Sequence, residues 1–121
     1  MDKSNSPCTY NAVLQARSKS STLLIARDPD EHGGIVGMLS LTVYRVPTGI
    51  RSIVEDVIVD EKMRRRGIAE ALMRDAIELA GQGGANTVAL SSNPSRQAAN
   101  KLYQSIGFEK RETNSYIYKI K

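Results

Sequence analysis

Runs of β-branched and aliphatic residues at Thr22 to Arg27, Ile35 to Val46, Arg51 to Val59 and Thr87 to Ser91 are each bounded by Gly, Pro, Asn or Asp, so they predict strands. Asp28 to Gly34 and Pro47-Thr48-Gly49 read as turns, and the first three strands as antiparallel hairpins. The period changes after Val59. Ile68, Leu72, Met73, Ala76 and Leu79 recur at helical spacing, which predicts a helix over 66–80 ended by Gly81, Gly83 and Gly84. A strand, a helix and another strand in succession place the two strands parallel. A second helix is expected after Pro94, capped by Asn93 or Ser95 and closed by Gly107, followed by a hairpin of Phe108 to Glu112 and Ser115 to Ile120. Tyr10 to Arg17 fits a short helix carrying Val13 and Leu14. The sum is an α/β fold: a mixed, mostly antiparallel sheet with a central parallel pair and helices on both faces, without internal repeats.

Composition narrows the class without naming a function. A chain of 121 residues builds one core, so a single domain over 1–121 is expected, with 1–20 as a short N-terminal segment. Hydrophobic content of 40% and charged content of 25% are those of a folded globule rather than a disordered tail. No apolar run approaches the roughly 18 residues of a membrane span, and the N-terminus lacks a signal peptide's apolar centre, which makes the cytoplasm the expected location. Cys8 is the single cysteine, so neither an internal disulfide nor a cysteine-rich metal site is expected. His32 stands alone in a polar turn, and no metal is expected there either. The net charge of +4 raises a nucleic-acid reading. Apart from Arg64, Arg65 and Arg66 and the tail residues Lys110, Arg111, Lys119 and Lys121, however, the cations are scattered, and no aromatic-studded strand accompanies them.

The chemistry concentrates in IVEDVIVDEKMRRRGIAEAL, from Ile53 to Leu72, where a strand breaks into a basic, glycine-containing turn that opens onto a helix. The first turn of a helix leaves about four N–H groups without partners. The helix dipole adds roughly half a positive charge at that end, which favours an anion. Gly67 lets the backbone approach a phosphate, Ala69 keeps the entrance clear, and the arginines add charge-assisted bonds. No Gly-Lys-Ser/Thr follows, so this is not a P-loop, and one glycine does not make a dinucleotide fingerprint.

Arg64-x-x-Gly67-x-Ala69 after Val57-Ile58-Val59 resembles the Q/R-x-x-G-x-G/A signature of the GNAT superfamily of N-acetyltransferases. Asn93 to Tyr103, followed by Ile106-Gly107-Phe108, is similar to that family's A-x-x-L-Y-x-x-x-G-F segment. The resemblance covers about Ser21 to Lys121. It implies acetyl-CoA as co-substrate, direct transfer of the acetyl group to a primary amine of a small molecule or peptide, and no acyl-enzyme on Cys8. It implies that Val57, Ile58 and Val59 pair with the pantetheine arm and that Arg64, Arg65, Arg66, Gly67, Ile68 and Ala69 hold the pyrophosphate. Ser92 and Asn93 fall where the family sheet opens to admit the thioester. Asn100 either bonds the pantetheine or caps a surface, and Arg96 stands where many relatives have asparagine.

Two proton transfers need groups. A lysine-like amine has a pKa near 10.4, so a proton acceptor must lie close to it at neutral pH. Glu55 and Asp56 are adjacent, and strict alternation would turn them to opposite faces. The resemblance favours Glu55 as the base; the alternative is that Glu55 pairs with Arg51. Departing coenzyme A is a thiolate, and Tyr103 matches the family's tyrosine general acid. The alternative is that Tyr103 packs in the core. Asp60 and Glu61 are expected to orient or balance the arginines.

The chain departs from the family at its start, where the first strand and first helix are expected to be missing. A bare edge strand seeks a partner, so a homodimer is expected. Three hypotheses remain open: an N-acetyltransferase, a coenzyme A binding module with weak catalysis, and a small basic nucleic-acid-binding protein. The acceptor amine is not legible.

Overall fold

The computed structural model describes residues 21–28, 33–63 and 67–120. The expected helix over 10–17, Cys8, His32 and the arginines Arg64, Arg65 and Arg66 lie outside the described residues. The chain divides into two compact units at Ser91 and Ser92.

The first unit holds four strands and a helix. Strands β1 (Ser21–Asp28), β2 (Gly34–Val46) and β3 (Gly49–Val59) form an antiparallel meander. Helix α1 (Ile68–Gln82) then carries the chain to β4 (Val88–Leu90), which pairs parallel to β3, giving the sheet order β1-β2-β3-β4. The expected mixed sheet with one parallel pair is present, and each strand starts or ends within two residues of the expected position.

One face of the sheet makes the core with α1. Leu24 stands opposite Leu39, and Leu41 opposite Val54, so these four side chains share a face, and all are buried. Ile68, Leu72, Ala76 and Ala80 follow each other at four-residue spacing down the buried side of α1, with Ala71 and Met73 beside them. The fully buried stripe ends on Ala80 rather than Leu79, and these small residues let the helix sit close to the sheet. A Cβ built on Gly37 would lie 2.9 Å from Ile68 Cγ2 and 3.3 Å from Leu72 Cδ1, and one on Gly83 would lie 3.5 Å from Val43 Cγ1. Helix α1 therefore runs along β2 from Gly37 to Val43. Its end is a glycine stop: Gly84, at φ 89, lets the Ala85 N–H reach back to Ala80 O at 3.0 Å.

Strand β4 is pinned by a buried polar residue. The Ser52 hydroxyl donates to Thr87 O at 2.8 Å and the Ser52 N–H donates to the same oxygen at 3.2 Å. Ser52 is thus buried with its hydroxyl satisfied.

The second unit contains α2 (Gln97–Ile106). Phe108 to Glu112 and Ser115 to Ile120, expected as a terminal hairpin, take no strand pairing, and residues 109–120 are exposed. Strand propensity there is not matched by a ladder partner among the described residues.

Leu72 is fully buried where α1 meets the sheet, so Leu72→Ala should lower stability by about 2–5 kcal/mol in urea denaturation.

Candidate functional site

The pairing of β3 changes partway along its length. Strand β4 pairs with Ser52, Ile53 and Val54 only, so from Glu55 onward that edge of β3 has no strand beside it among the described residues. A bulge lies at the same point. Ser40 pairs with Glu55 and Met38 with Ile58, so Asp56 and Val57 together oppose Leu39. Asp56 has φ 57, the one non-glycine residue in the left-handed region among those described. Asp and Asn tolerate that region better than most side chains.

The bulge decides which backbone groups face outward. The Asp60 N–H donates to Val36 O at 2.8 Å, which makes Asp60 and Val36 a hydrogen-bonded pair. Alternation along an antiparallel ladder then turns the groups of Ile58 toward β2 and those of Val57 and Val59 away from it. Val57 and Val59 consequently offer N–H and C=O groups on a free edge. Ile58 lies between them with its side chain 57% exposed, an apolar surface beside that edge.

The bulge also corrects the expected placement of the two acids. Strict alternation does not hold across Asp56, and both Glu55 and Asp56 are exposed. The alternative pairing of Glu55 with Arg51 is not formed; the Arg51 guanidinium donates instead to Thr48 Oγ1 at 3.2 Å.

From Val59 the chain enters a 3-10 turn, Glu61–Met63, in which Asp60 Oδ1 accepts the Lys62 N–H at 3.0 Å. Helix α1 begins just after Gly67, which has φ 77 and makes no side-chain cap. The first helical bond is the Ala71 N–H to Gly67 O at 3.0 Å, so the N–H groups of Ile68, Ala69 and Glu70 precede the ladder. A Cβ at Gly67 would meet nothing within 4 Å among the described residues. Glu70 forms an ion pair with Arg74 at 2.8 Å on the outer side of α1. Gly37 joins the two halves of the site: its Cβ position is 2.9 Å from Ile68 Cγ2 and 3.5 Å from Ile58 O. Sequence reasoning passed over Gly37, although an isolated glycine inside a strand pattern signals a bulge or a close approach.

In the second unit Asn93 and Asn100 are brought together. Asn93 Oδ1 accepts the Ser95 N–H at 2.9 Å, and Asn93 O accepts the Arg96 N–H at 3.0 Å and Asn100 Nδ2 at 3.1 Å. Arg96 is the residue before the helix, and no side chain caps it. Asn93 therefore closes the turn before α2 rather than capping the helix, and Asn100 braces that turn. At the other end, the Phe108 N–H donates to Tyr103 O at 3.0 Å and the Gly107 N–H to Gln104 O at 3.1 Å, with Gly107 at φ 129. These two bonds make a Schellman stop, which is accompanied by an apolar contact between the residue after the glycine and the one five positions earlier. Tyr103 and Phe108 supply it, edge to face, with centroids 6.2 Å apart at 68°. The Tyr-x-x-x-Gly-Phe spacing thus has a local structural cause, and Tyr103 is buried.

A strand edge freed at a bulge, leading to an uncapped helix start, accompanies a match over residues 3–108 to the model of the Acetyltransferase (GNAT) family, and the chain belongs to that family. Human N-acetyltransferase 8 is 41% identical over 54 residues, which are 45% of this chain and 24% of that protein. Human N-acetylaspartate synthetase is 32% identical over 76 residues, covering 63% of this chain and 24% of that protein. The chain thus spans about a quarter of the length of these two relatives. In three dimensions it is similar to an acetyltransferase from Trypanosoma brucei, with 25% identity and a TM-score of 0.71 over 82% of this chain and 69% of that one.

If the left-handed backbone at Asp56 is what shapes the bulge, Asp56→Gly should leave stability within about 1 kcal/mol of the parent, because relief of strain offsets the added chain entropy. Asp56→Val should cost about 1–2 kcal/mol or more. Equal unfolding midpoints for the two variants would show that the bulge does not persist in solution.

Proposed function

We propose that this chain is an acetyl-CoA-dependent N-acetyltransferase that moves an acetyl group directly onto a primary amine. One observation supports it above the rest: the β3 edge freed beyond Asp56 presents the groups of Val57 and Val59 and runs on toward the uncapped start of α1. An extended pantetheine amide chain can pair with such an edge as an added strand would. The three N–H groups of Ile68, Ala69 and Glu70 suit a pyrophosphate, and the missing Cβ at Gly67 leaves it room. Arg64, Arg65 and Arg66 immediately precede Gly67 in the chain and add positive charge.

Bound acetyl-CoA supplies a thioester carbonyl carbon that accepts the amine's lone pair, while the carbon–sulfur bond breaks and the sulfur keeps its electron pair. Glu55, exposed at the bulge, takes the proton that the amine must lose, directly or through a water. Tyr103 donates a proton to the departing sulfur through its hydroxyl, while its ring holds the helix stop against Phe108. Asn93 and Asn100 act by fixing the turn before α2. The amine acceptor fits the names of the relatives, of which N-acetylaspartate synthetase names an N-acetylated amino acid as its product.

Gly67→Glu puts bulk and negative charge where the pyrophosphate belongs, so acetyl-CoA binding measured by calorimetry should be lost; retained affinity would refute the assignment of this turn. Tyr103→Phe keeps the ring contact and removes the hydroxyl. It should lower kcat by about 10²-fold or more with little change in acetyl-CoA affinity, and an unchanged rate would leave Tyr103 a packing residue. Glu55→Gln should lower the rate on a panel of amines at neutral pH and recover toward alkaline pH, where the amine loses its proton unaided; Asp56→Asn is the control.

A further inference from the structure

Gly37 is buried within β2, paired with Ala26 of β1 on one side and with Val59 of β3 on the other. A glycine inside a strand weakens it and adds no side chain to the core, so its presence there marks a bulge or a close approach. Backbone freedom is not what requires it, because Gly37 is not among the glycines of positive φ. The requirement is space. A Cβ at this position would lie 2.9 Å from Ile68 Cγ2, closer than carbon atoms pack, and 3.3 Å from Leu72 Cδ1.

The two neighbours differ in how they can yield. Leu72 Cδ1 is the far end of a flexible side chain and can turn aside. Ile68 Cγ2 is carried on the β-carbon of the first residue of α1, where a branched side chain keeps one strongly preferred rotamer, and Ile68 is itself buried. Strand β2 cannot retreat, since ladders hold it on both edges. A methyl added at Gly37 is therefore relieved by moving the start of α1, and with it the N–H groups of Ile68, Ala69 and Glu70.

We propose that Gly37 is a positioning residue for coenzyme A, a role that rests on this chain's binding that cofactor at β3 and α1. By leaving out one methyl, Gly37 sets how near the diphosphate seat at the start of α1 lies to the strand edge at Val57 and Val59. One ligand makes both sets of hydrogen bonds at once, and such bonds weaken over a few tenths of an ångström, so a shift of the helix start loosens one end or the other.

The test is calorimetric titration of the full chain and three variants with coenzyme A. Ile68→Leu, combined with Gly37→Ala, keeps the carbon count and removes the branch methyl that the new Cβ would strike. Gly83→Ala adds the same methyl at the other end of α1, where its nearest neighbours are an ordinary 3.5 Å away. Gly37→Ala should keep its far-ultraviolet dichroism and bind about 10-fold or more weakly, the Gly37→Ala, Ile68→Leu chain should return to within about 3-fold of the parent, and Gly83→Ala should match it. Gly37→Ala binding as tightly as the parent would overturn the proposal and leave the cofactor reading standing. Weak binding that Ile68→Leu does not relieve, or a Gly37→Ala chain that does not fold, would also overturn it, by making Gly37 a general requirement of the core. A parent that binds no coenzyme A would overturn the cofactor reading itself, and the role of Gly37 with it.

Discussion

A central strand of a sheet cannot be paired on both edges and at the same time present its backbone to a ligand. In this protein the conflict is resolved within β3, at Asp56. Up to Val54 the strand is ordinary, with β2 on one side and β4 on the other and Ser52 locking β4 in place through Thr87 O. From Asp56 on, the extra residue shifts the register against β2, the pairing with β4 has stopped, and the outward groups of Val57 and Val59 are left to a partner from outside the sheet. In water such groups are solvated at little cost. A ligand with amide groups of its own can replace that water bond for bond.

The remainder of the first unit supports that opening. Gly37 has no side chain where α1 approaches the sheet, so Ile68 and Leu72 come down against β2 directly beside Ile58 O. This packing brings the start of α1 next to the end of β3, with Ile68 Cγ2 and Ile58 O both against the Gly37 backbone. Gly67 turns the chain through the left-handed region just before α1. The buried side of α1 and the leucines of β1 and β2 hold this geometry by apolar burial, to which the surface pair Glu70–Arg74 adds only about 0.3–0.5 kcal/mol.

Much of this was legible in the residues, for physical reasons that differ from element to element. The α1 stripe showed because its period is set by burial against one surface, and the first three strands because β-branched runs between turn residues have few other uses. The Gly67 turn showed through a motif whose glycine is required by backbone geometry. The bulge at Asp56 left no such mark. No glycine announces it, and Ile53, Val54, Val57, Ile58 and Val59 are all apolar, so the shift from one alternation phase to the other is hidden. Alternation therefore misled the reading of Glu55 and Asp56. The terminal hairpin failed for another reason. Tyr116, Tyr118 and Ile120 have the pattern of a strand, but a pattern specifies a face and not a pairing, and none is formed there among the described residues. The helix caps expected of Asn93 and Ser95 were displaced by a turn that Asn93 closes for itself and Asn100 braces.

The central claim is that the backbone freed by the bulge is the docking edge for coenzyme A. Amide chemical shifts followed by NMR during titration with coenzyme A test it residue by residue. The account predicts the largest changes at Val57 and Val59 and at Ile68, Ala69 and Glu70, with Leu23 to Ala26 in β1 unmoved. Saturable binding that leaves those five amides in place, or no binding at all, would contradict it.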